Sequence, residues 1–307
     1  MLTTVQDRGR WGLQSYGVPV AGPMDPWSHR LANALVGNNS DAATLEVTLV
    51  GPEVEFDDER VVAIAGAEFD VALDDRAAPS CTPFVVGAGT QLRFGARRHG
   101  ARAYVAISGG IDVPPTLGSR ATHVLTAMGG FAGRAVRIGD RLPLGAPVME
   151  HRVSAPRASA VPLPDGHARI RVLLGPQQGY FTVAAVDTLQ SAPYTITDKS
   201  DRMGFRLSGP ALTHTRSADI LSDATPLGAL QVPASGQPIL LMADRQTTGG
   251  YPKIATVITA DIGLAGQLGP GDSISFVVCS PKEALAALIA QERAMMGLEK
   301  EASELGP

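Results

Sequence analysis

Residues 239–259 read Ile239-Leu240-Leu241-Met242-Ala243-Asp244-Arg245-Gln246-Thr247-Thr248-Gly249-Gly250-Tyr251-Pro252-Lys253-Ile254-Ala255-Thr256-Val257-Ile258-Thr259. Two short apolar runs, 239–242 and 254–259, flank a polar insert. Runs of four to eight Val, Ile and Leu residues with turn formers at both ends are strands. The same pattern recurs at 44–50, 61–65, 103–107, 169–174 and 273–278. Long helical patterns do not alternate with these runs, which excludes a doubly wound parallel sheet and predicts a mainly β protein of barrel or sandwich type. The 34 glycines and 23 prolines, scattered without period, supply the turns such a fold needs.

The 307 residues carry 26 Lys+Arg against 30 Asp+Glu, a net charge of −4, and 44% of them are apolar. That balance fits a globular protein and not a nucleic-acid binder, since no basic run could track phosphates. The densest basic stretch, Arg93, Arg97, Arg98 and Arg102, is interrupted by Gly and Ala and reads as a solvated turn. No apolar run is long enough to cross a membrane, so no membrane partner is expected. An acid and a base within the first eight residues argue against a signal peptide. Two distant cysteines, Cys81 and Cys279, suit a reducing cytoplasm.

Three helices are predicted. Asp25 can cap the first, with Pro26 at its opening position, Gly37 at its end and a stripe of Trp27, Leu31, Ala34 and Leu35. The second covers 180–189. The third opens on the capping box Ser280-Pro281-Lys282-Glu283, presents Leu285, Leu288 and Ile289 on one face, and frays at 299–301. The proline-rich stretch 155–164 reads as a linker between domains spanning 1–150 and 165–307. Gly139-Asp140-Arg141-Leu142 and Gly271-Asp272-Ser273-Ile274 echo each other as a tight turn before a final strand.

Chemistry is sparse. There is no phosphate loop, dinucleotide fingerprint, nucleophile elbow or metal-ligand spacing among the six histidines. Three polar clusters remain. In 243–253, the glycine pair Gly249-Gly250 allows close backbone approach and free amides, and Lys253 can polarise an oxygen. Its alternative is a long hairpin that satisfies itself. Asp261 lies about 26 Å from Lys253 if the strand is straight, at ~3.3 Å per residue, so only a bend could bring them together. In 198–204, Arg202 can fork a carboxylate or carbonyl, or lie in a solvated turn. The third cluster, Gln6 to Arg10 followed by 17–25, is a long loop of the kind that carries function or is disordered.

These clusters together resemble one family. Thr3-Thr4-Val5-Gln6-Asp7, Gly22-Pro23-Met24-Asp25, Ser108-Gly109-Gly110-Ile111-Asp112 and Leu117-Gly118-Ser119-Arg120 match its first half. Gly129-Gly130-Phe131-Ala132-Gly133-Arg134 continues it, with Ala132 where a further glycine is usual. Ser200-Asp201-Arg202-Met203-Gly204 and Gln246-Thr247-Thr248-Gly249-Gly250-Tyr251-Pro252 match the second half. The chain is similar to the allophanate hydrolase subunit 2 family, whose members are also called the C subunit of 5-oxoprolinase, and to the carboxyltransferase domain of urea carboxylase.

The resemblance implies two cyclophilin-like β-barrel domains and a heteromer with a homologous subunit 1 and a third subunit. It implies ATP-dependent opening of 5-oxo-L-proline to L-glutamate, with the lactam held in a cleft between the barrels. ATP would serve the complex, its binding subunit being open. Lys253 and Asp261 are then the candidate catalytic residues. Arg202, Gln246, Thr247, Thr248, Gly249, Gly250 and Tyr251 are the candidates for holding the small amide or lactam. An alternative within the family is a biotin-dependent carboxyltransferase of urea metabolism, whose biotin would ride on another protein, since no Met-Lys-Met site is present. Another is a regulatory protein binding a kinase inhibitor related to subunit 1. Allophanate hydrolysis itself would need an amidase Ser-Ser-Lys apparatus, and the sequence shows none.

Overall fold

The computed structural model describes residues 2–147 and 163–304. Most of the expected linker, 155–162, lies outside them. The chain divides into two compact units: Met1–Arg10, Ala21–Leu163 and Glu292–Pro307 form one, and Trp11–Val20 with Pro164–Gln291 form the other. Residues 11–20 thus group with the second unit and 292–307 with the first.

The first unit contains β1 (Leu2–Gln6), β2 (Thr44–Thr48), β3 (Glu53–Glu55), β4 (Arg60–Leu73), β5 (Arg76–Ala77), β6 (Phe84–Val86) and β7 (Gln91–Ile107). They make a seven-stranded sheet in the order β1-β2-β7-β4-β5, with β3 joined to β7 and β6 to β4. Two long strands organise it. β7 pairs β2 through 102–105 and β3 through 91–93, so one strand serves different neighbours along its length. The basic stretch Arg93 to Arg102 therefore lies within a strand and not in a turn. Its glycines accompany register shifts in β4, which bend the β4–β7 pair without ending it.

Alternation explains the packing. Val62 and Ile64 of β4, with Leu45, Val47 and Val105, fill one face of the sheet. Ala63 and Ala65 point the other way, with Tyr104 and Ala106, onto Leu31, Ala32 and Leu35 of α1 (Pro26–Leu35). Each of the larger buried aliphatic chains contributes roughly 1.5–3 kcal/mol. α1 starts as the sequence predicts: Asp25 accepts hydrogen bonds from the Trp27 and Ser28 amides, and Pro26 is the first helical residue.

The second unit holds β8 (His167–Leu174), β9 (Tyr194–Ile196), β10 (Gly204–Ser208), β11 (Asp223–Ala224), β12 (Ala229–Gln231), β13 (Ile239–Leu241), β14 (Thr248–Gly249), β15 (Lys253–Val257) and β16 (Ser273–Val278). Seven of them close a barrel in the order β10-β13-β12-β15-β8-β16-β9, while β11 and β14 form a separate two-stranded ribbon. Closure removes exposed strand edges. The fold is thus mainly β, with ring closure found in the second unit. The Gly-Asp echo holds at the turns: Gly139 and Gly271 are both left-handed, at φ 87° and 91°. A strand follows only the second.

The remaining helices are α2 (Val183–Ser191), α3 (Ile262–Gly266) and α4 (Pro281–Glu304). α2 starts three residues later than expected because Gln178–Tyr180 forms a 3-10 turn and Thr182 supplies the cap. In α4 the capping box is formed, with Glu283 accepting from the Ser280 amide and hydroxyl. The expected face is not the covered one: Leu285 and Ile289 are exposed and Met295 is buried, and the helix runs on past 301.

Candidate functional site

The polar insert between β13 and β15 does not turn over as a plain hairpin. After β13 the Met242 amide bonds the Met203 carbonyl and the Asp244 amide bonds the Arg202 carbonyl. The chain then forms β14, which lies against β11 with Ala224 opposite Thr248 and Asp223 opposite Gly249. Thr225, next along, donates its amide to the Thr247 carbonyl at 3.0 Å and its hydroxyl to the Gln246 carbonyl. Segment 223–225 is therefore the floor on which the insert is laid.

Lys253 opens β15 opposite Gln231, beside an irregularity in that ladder. Its side chain is 2% exposed, and its ammonium reaches Asp223 Oδ2 at 2.7 Å and the Ala224 carbonyl at 3.0 Å. The Lys253 hydrogen bond holds the Asp223 carboxyl below the usual carboxylate range. Gln177 braces the pair, donating to Asp223 Oδ2 and accepting from the Lys253 amide.

The other predicted residues divide. Gln246 donates to Gln231 Oε1 at 3.1 Å, and Gln231 reaches the Tyr251 carbonyl at 3.5 Å. Gly249 is required by close approach, since a Cβ there would collide with Gln231 Nε2. The Gly250 carbonyl accepts from the Ile220 amide, while the Thr248 and Tyr251 side chains are exposed. Arg202 is buried, and its fork already grips Asp244 through two bonds of 2.9 Å. Asp261 is placed elsewhere. It lies in the turn after β15, where Arg171 of β8 binds both its oxygens at 3.0 and 2.6 Å and adds its own amide at 2.8 Å.

Three further residues belong to this cluster: Asp223, Gln231 and Arg245. The first two are far from the insert in sequence and carried no local signal. Arg245 is 7% exposed, and its Nε donates to the Thr225 carbonyl at 2.9 Å. Burial lowers its pKa to about 10, so it keeps its charge at neutral pH. Among the described residues no three His, Cys, Asp or Glu side chains gather as metal ligands would.

A sequence profile of the carboxyltransferase domain, subdomains A and B, matches residues 16–278. The chain belongs to this family. It is 42% identical to the C subunit of 5-oxoprolinase from Escherichia coli strain K12, over 95% of this chain and 93% of that one. Urea amidolyase of Saccharomyces cerevisiae is 34% identical over 97% of this chain, but only 17% of its own length is matched. Among solved structures, the K. lactis urea amidolyase superposes with a TM-score of 0.89 at 34% identity, covering 97% of this chain and 19% of that one. TTHA0988 superposes at 0.78 with 38% identity, over 90% of this chain and 53% of that one.

In this carboxyltransferase-domain chain the motifs of the first unit also meet in space. Asp7 Oδ1 accepts from the Gly9 amide and the Ser119 hydroxyl, and Oδ2 accepts from the Arg120 amide. Glu46 Oε2 accepts from the Met24 amide at 2.8 Å and from Tyr104 at 2.7 Å, while Tyr104 in turn accepts from the Asp25 amide. Nearby His29 is fully buried, and burial lowers its pKa to about 4 against the pull of Asp7 and Glu46. These carboxylates fasten residues 7–9 and 24–25 within the first unit.

Proposed function

We propose that the chain is the C subunit of an ATP-dependent 5-oxoprolinase. The observation that carries this is the end-to-end match to the E. coli protein, 42% identity over 93% of its length, where the urea enzymes match through a minor part of theirs. The reaction adds water across the lactam C–N bond: the carbonyl carbon becomes a carboxylate and the ring nitrogen an amine. Such a step needs a carbonyl that is gripped and polarised. Lys253 is suited to this, because a buried ammonium held by one carboxylate and one carbonyl keeps its third proton for a ligand oxygen. Residues 246–251 shape the approach. Arg202 is committed to Asp244, and Asp261 to Arg171, so we assign both to the frame. A homologous subunit and a third chain complete the enzyme, and ATP enters as co-substrate of that complex.

The test uses cell extracts lacking this chain, scored for ATP-dependent glutamate release from 5-oxoproline. Wild-type protein restores the activity, and Lys253→Ala assembles yet lowers turnover by roughly 100-fold or more. A deletion extract with undiminished activity would overturn the assignment. The TM-score of 0.89 to urea amidolyase favours a second reading, carboxyl transfer from biotin on a separate carrier. Avidin sensitivity of the restored activity would select it.

A further inference from the structure

Lys253 is one of four lysines in the chain, and the other three, Lys199, Lys282 and Lys300, are exposed. Its side chain is 2% exposed, while the Asp223 side chain that faces it is 51% exposed. Taking an ammonium out of water is unfavourable, and a carboxylate that stays half in water offsets little of that loss. Cohesion is therefore a poor account of the pair. What the pair fixes is direction. An ammonium has three donors. Two are engaged, by Asp223 Oδ2 at 2.7 Å and by the carbonyl of the next residue, Ala224, at 3.0 Å. Among the described residues Nζ has no other acceptor, so one N–H is left, and its direction follows from the other two.

The carboxylate is itself held at both oxygens. Oδ1 accepts from the Ala224 amide at 2.8 Å, and Oδ2 accepts from Gln177 at 3.3 Å as well as from Lys253. Gln177 lies on the loop that follows β8. That loop is pressed against the start of β15: the Gly175 amide bonds the Ile254 carbonyl at 2.8 Å, and a Cβ on Gly175 would collide with the Lys253 carbonyl. The oxygen of the Gln177 side chain accepts from the Lys253 backbone amide at 3.2 Å. One side chain thus ties the backbone that carries the ammonium to the carboxylate that seats it.

We infer that Asp223 is a positioning residue for Lys253, holding the ammonium so that its remaining N–H meets the lactam carbonyl oxygen, and that Gln177 locks Asp223 in that pose. This rests on the placing of the lactam carbonyl at Lys253. Asp223 acts through Lys253 and not on the substrate. Its effect is greatest as water adds to the carbonyl carbon and the oxygen gains charge, because a donor already in place needs no reorganisation at that moment. Loss of the seat then lowers kcat and leaves KM nearly unchanged.

Two measurements test this. The first needs no substrate. The full chain is labelled with lysine carrying a heavy nitrogen isotope at Nζ, and exchange of the ammonium protons is followed by NMR at neutral pH. The three exposed lysines exchange fast, so Lys253 gives the one protected signal, identified by its absence in Lys253→Ala. Asp223→Asn speeds that exchange by about 10-fold or more, and Gln177→Ala by a smaller factor. No protected signal in the wild type overturns the seat, and needs no variant to fold. Equal protection in Asp223→Asn overturns the role of Asp223.

The second is turnover of the assembled complex. Asp223→Asn lowers kcat by roughly 10-fold with KM within about twofold, and adds no further loss when Lys253 is already alanine. Losses that multiply in the double variant overturn the proposal, since a merely structural role would act whichever residue stands at 253. If the complex releases no glutamate while protection of the ammonium still depends on Asp223, the seat stands and the lactam reading falls.

Discussion

The two units give their buried charged groups different partners. In the first, buried carboxylates of Asp7, Asp25 and Glu46 are met by backbone amides and hydroxyls, and the result is a chain segment fastened to a sheet. In the second, the Asp244 carboxylate is met by the Arg202 guanidinium, while Arg245 beside them bonds a backbone carbonyl through Nε and has no carboxylate among the described residues. A polar cluster that satisfies itself is architecture.

The sharpest way to break this contrast is to open the closed pair. Asp244→Ala leaves Arg202 buried without its carboxylate and should lower stability by about 3–5 kcal/mol in urea unfolding. A change under about 1 kcal/mol would mean that the pair is not structural.

In the first unit the buried group to test is His29. Its folded pKa of about 4 lies below the ordinary value of 6.5, so the unfolded chain binds more protons between those limits. Its contribution is complete above pH 6.5, falls as the pH drops through that window and levels off below 4. It amounts to about 3 kcal/mol. Unfolding midpoints of the His29→Gln variant should show a flatter decline than wild type from pH 6.5 to 4; parallel curves would refute the assignment.

The smallest effect concerns Ala132, which adopts φ 55°. Left-handed backbone costs a non-glycine residue roughly 1 kcal/mol, partly offset by the greater freedom of unfolded glycine. Ala132→Gly should therefore raise stability by up to about 1 kcal/mol, measured as a shift in Tm. A lower Tm would place the strain elsewhere.

What is legible in the sequence is what is local. The Asp25 and Ser280 caps form as read because donor and acceptor lie within three residues. The strand at 273–278 has the expected bounds because a tight turn fixes its start. β7 reads differently in sequence because Gly95, Gly100 and the arginines between them look like a turn, and only pairing with β4 shows a continuous bent strand. The face of α4 fails similarly: periodicity locates an apolar stripe, not what covers it. At the site, Lys253 stands out as the cation after a glycine pair. Arg245 does not, because its meaning depends on Asp244 being claimed by Arg202, 42 residues away. Asp261 looks available for the same reason, until Arg171 of β8 is found on it.

Among the described residues no carboxylate pairs with the Arg245 charge, and the unfolding free energy of Arg245→Met without ligand tests whether that charge contributes to the fold. Removing a guanidinium that has no carboxylate partner while keeping an apolar stem should leave stability unchanged or raise it by about 1 kcal/mol. A loss of about 3 kcal/mol or more, like that expected for Asp244→Ala, would show that the guanidinium is already compensated within the fold and would contradict the account.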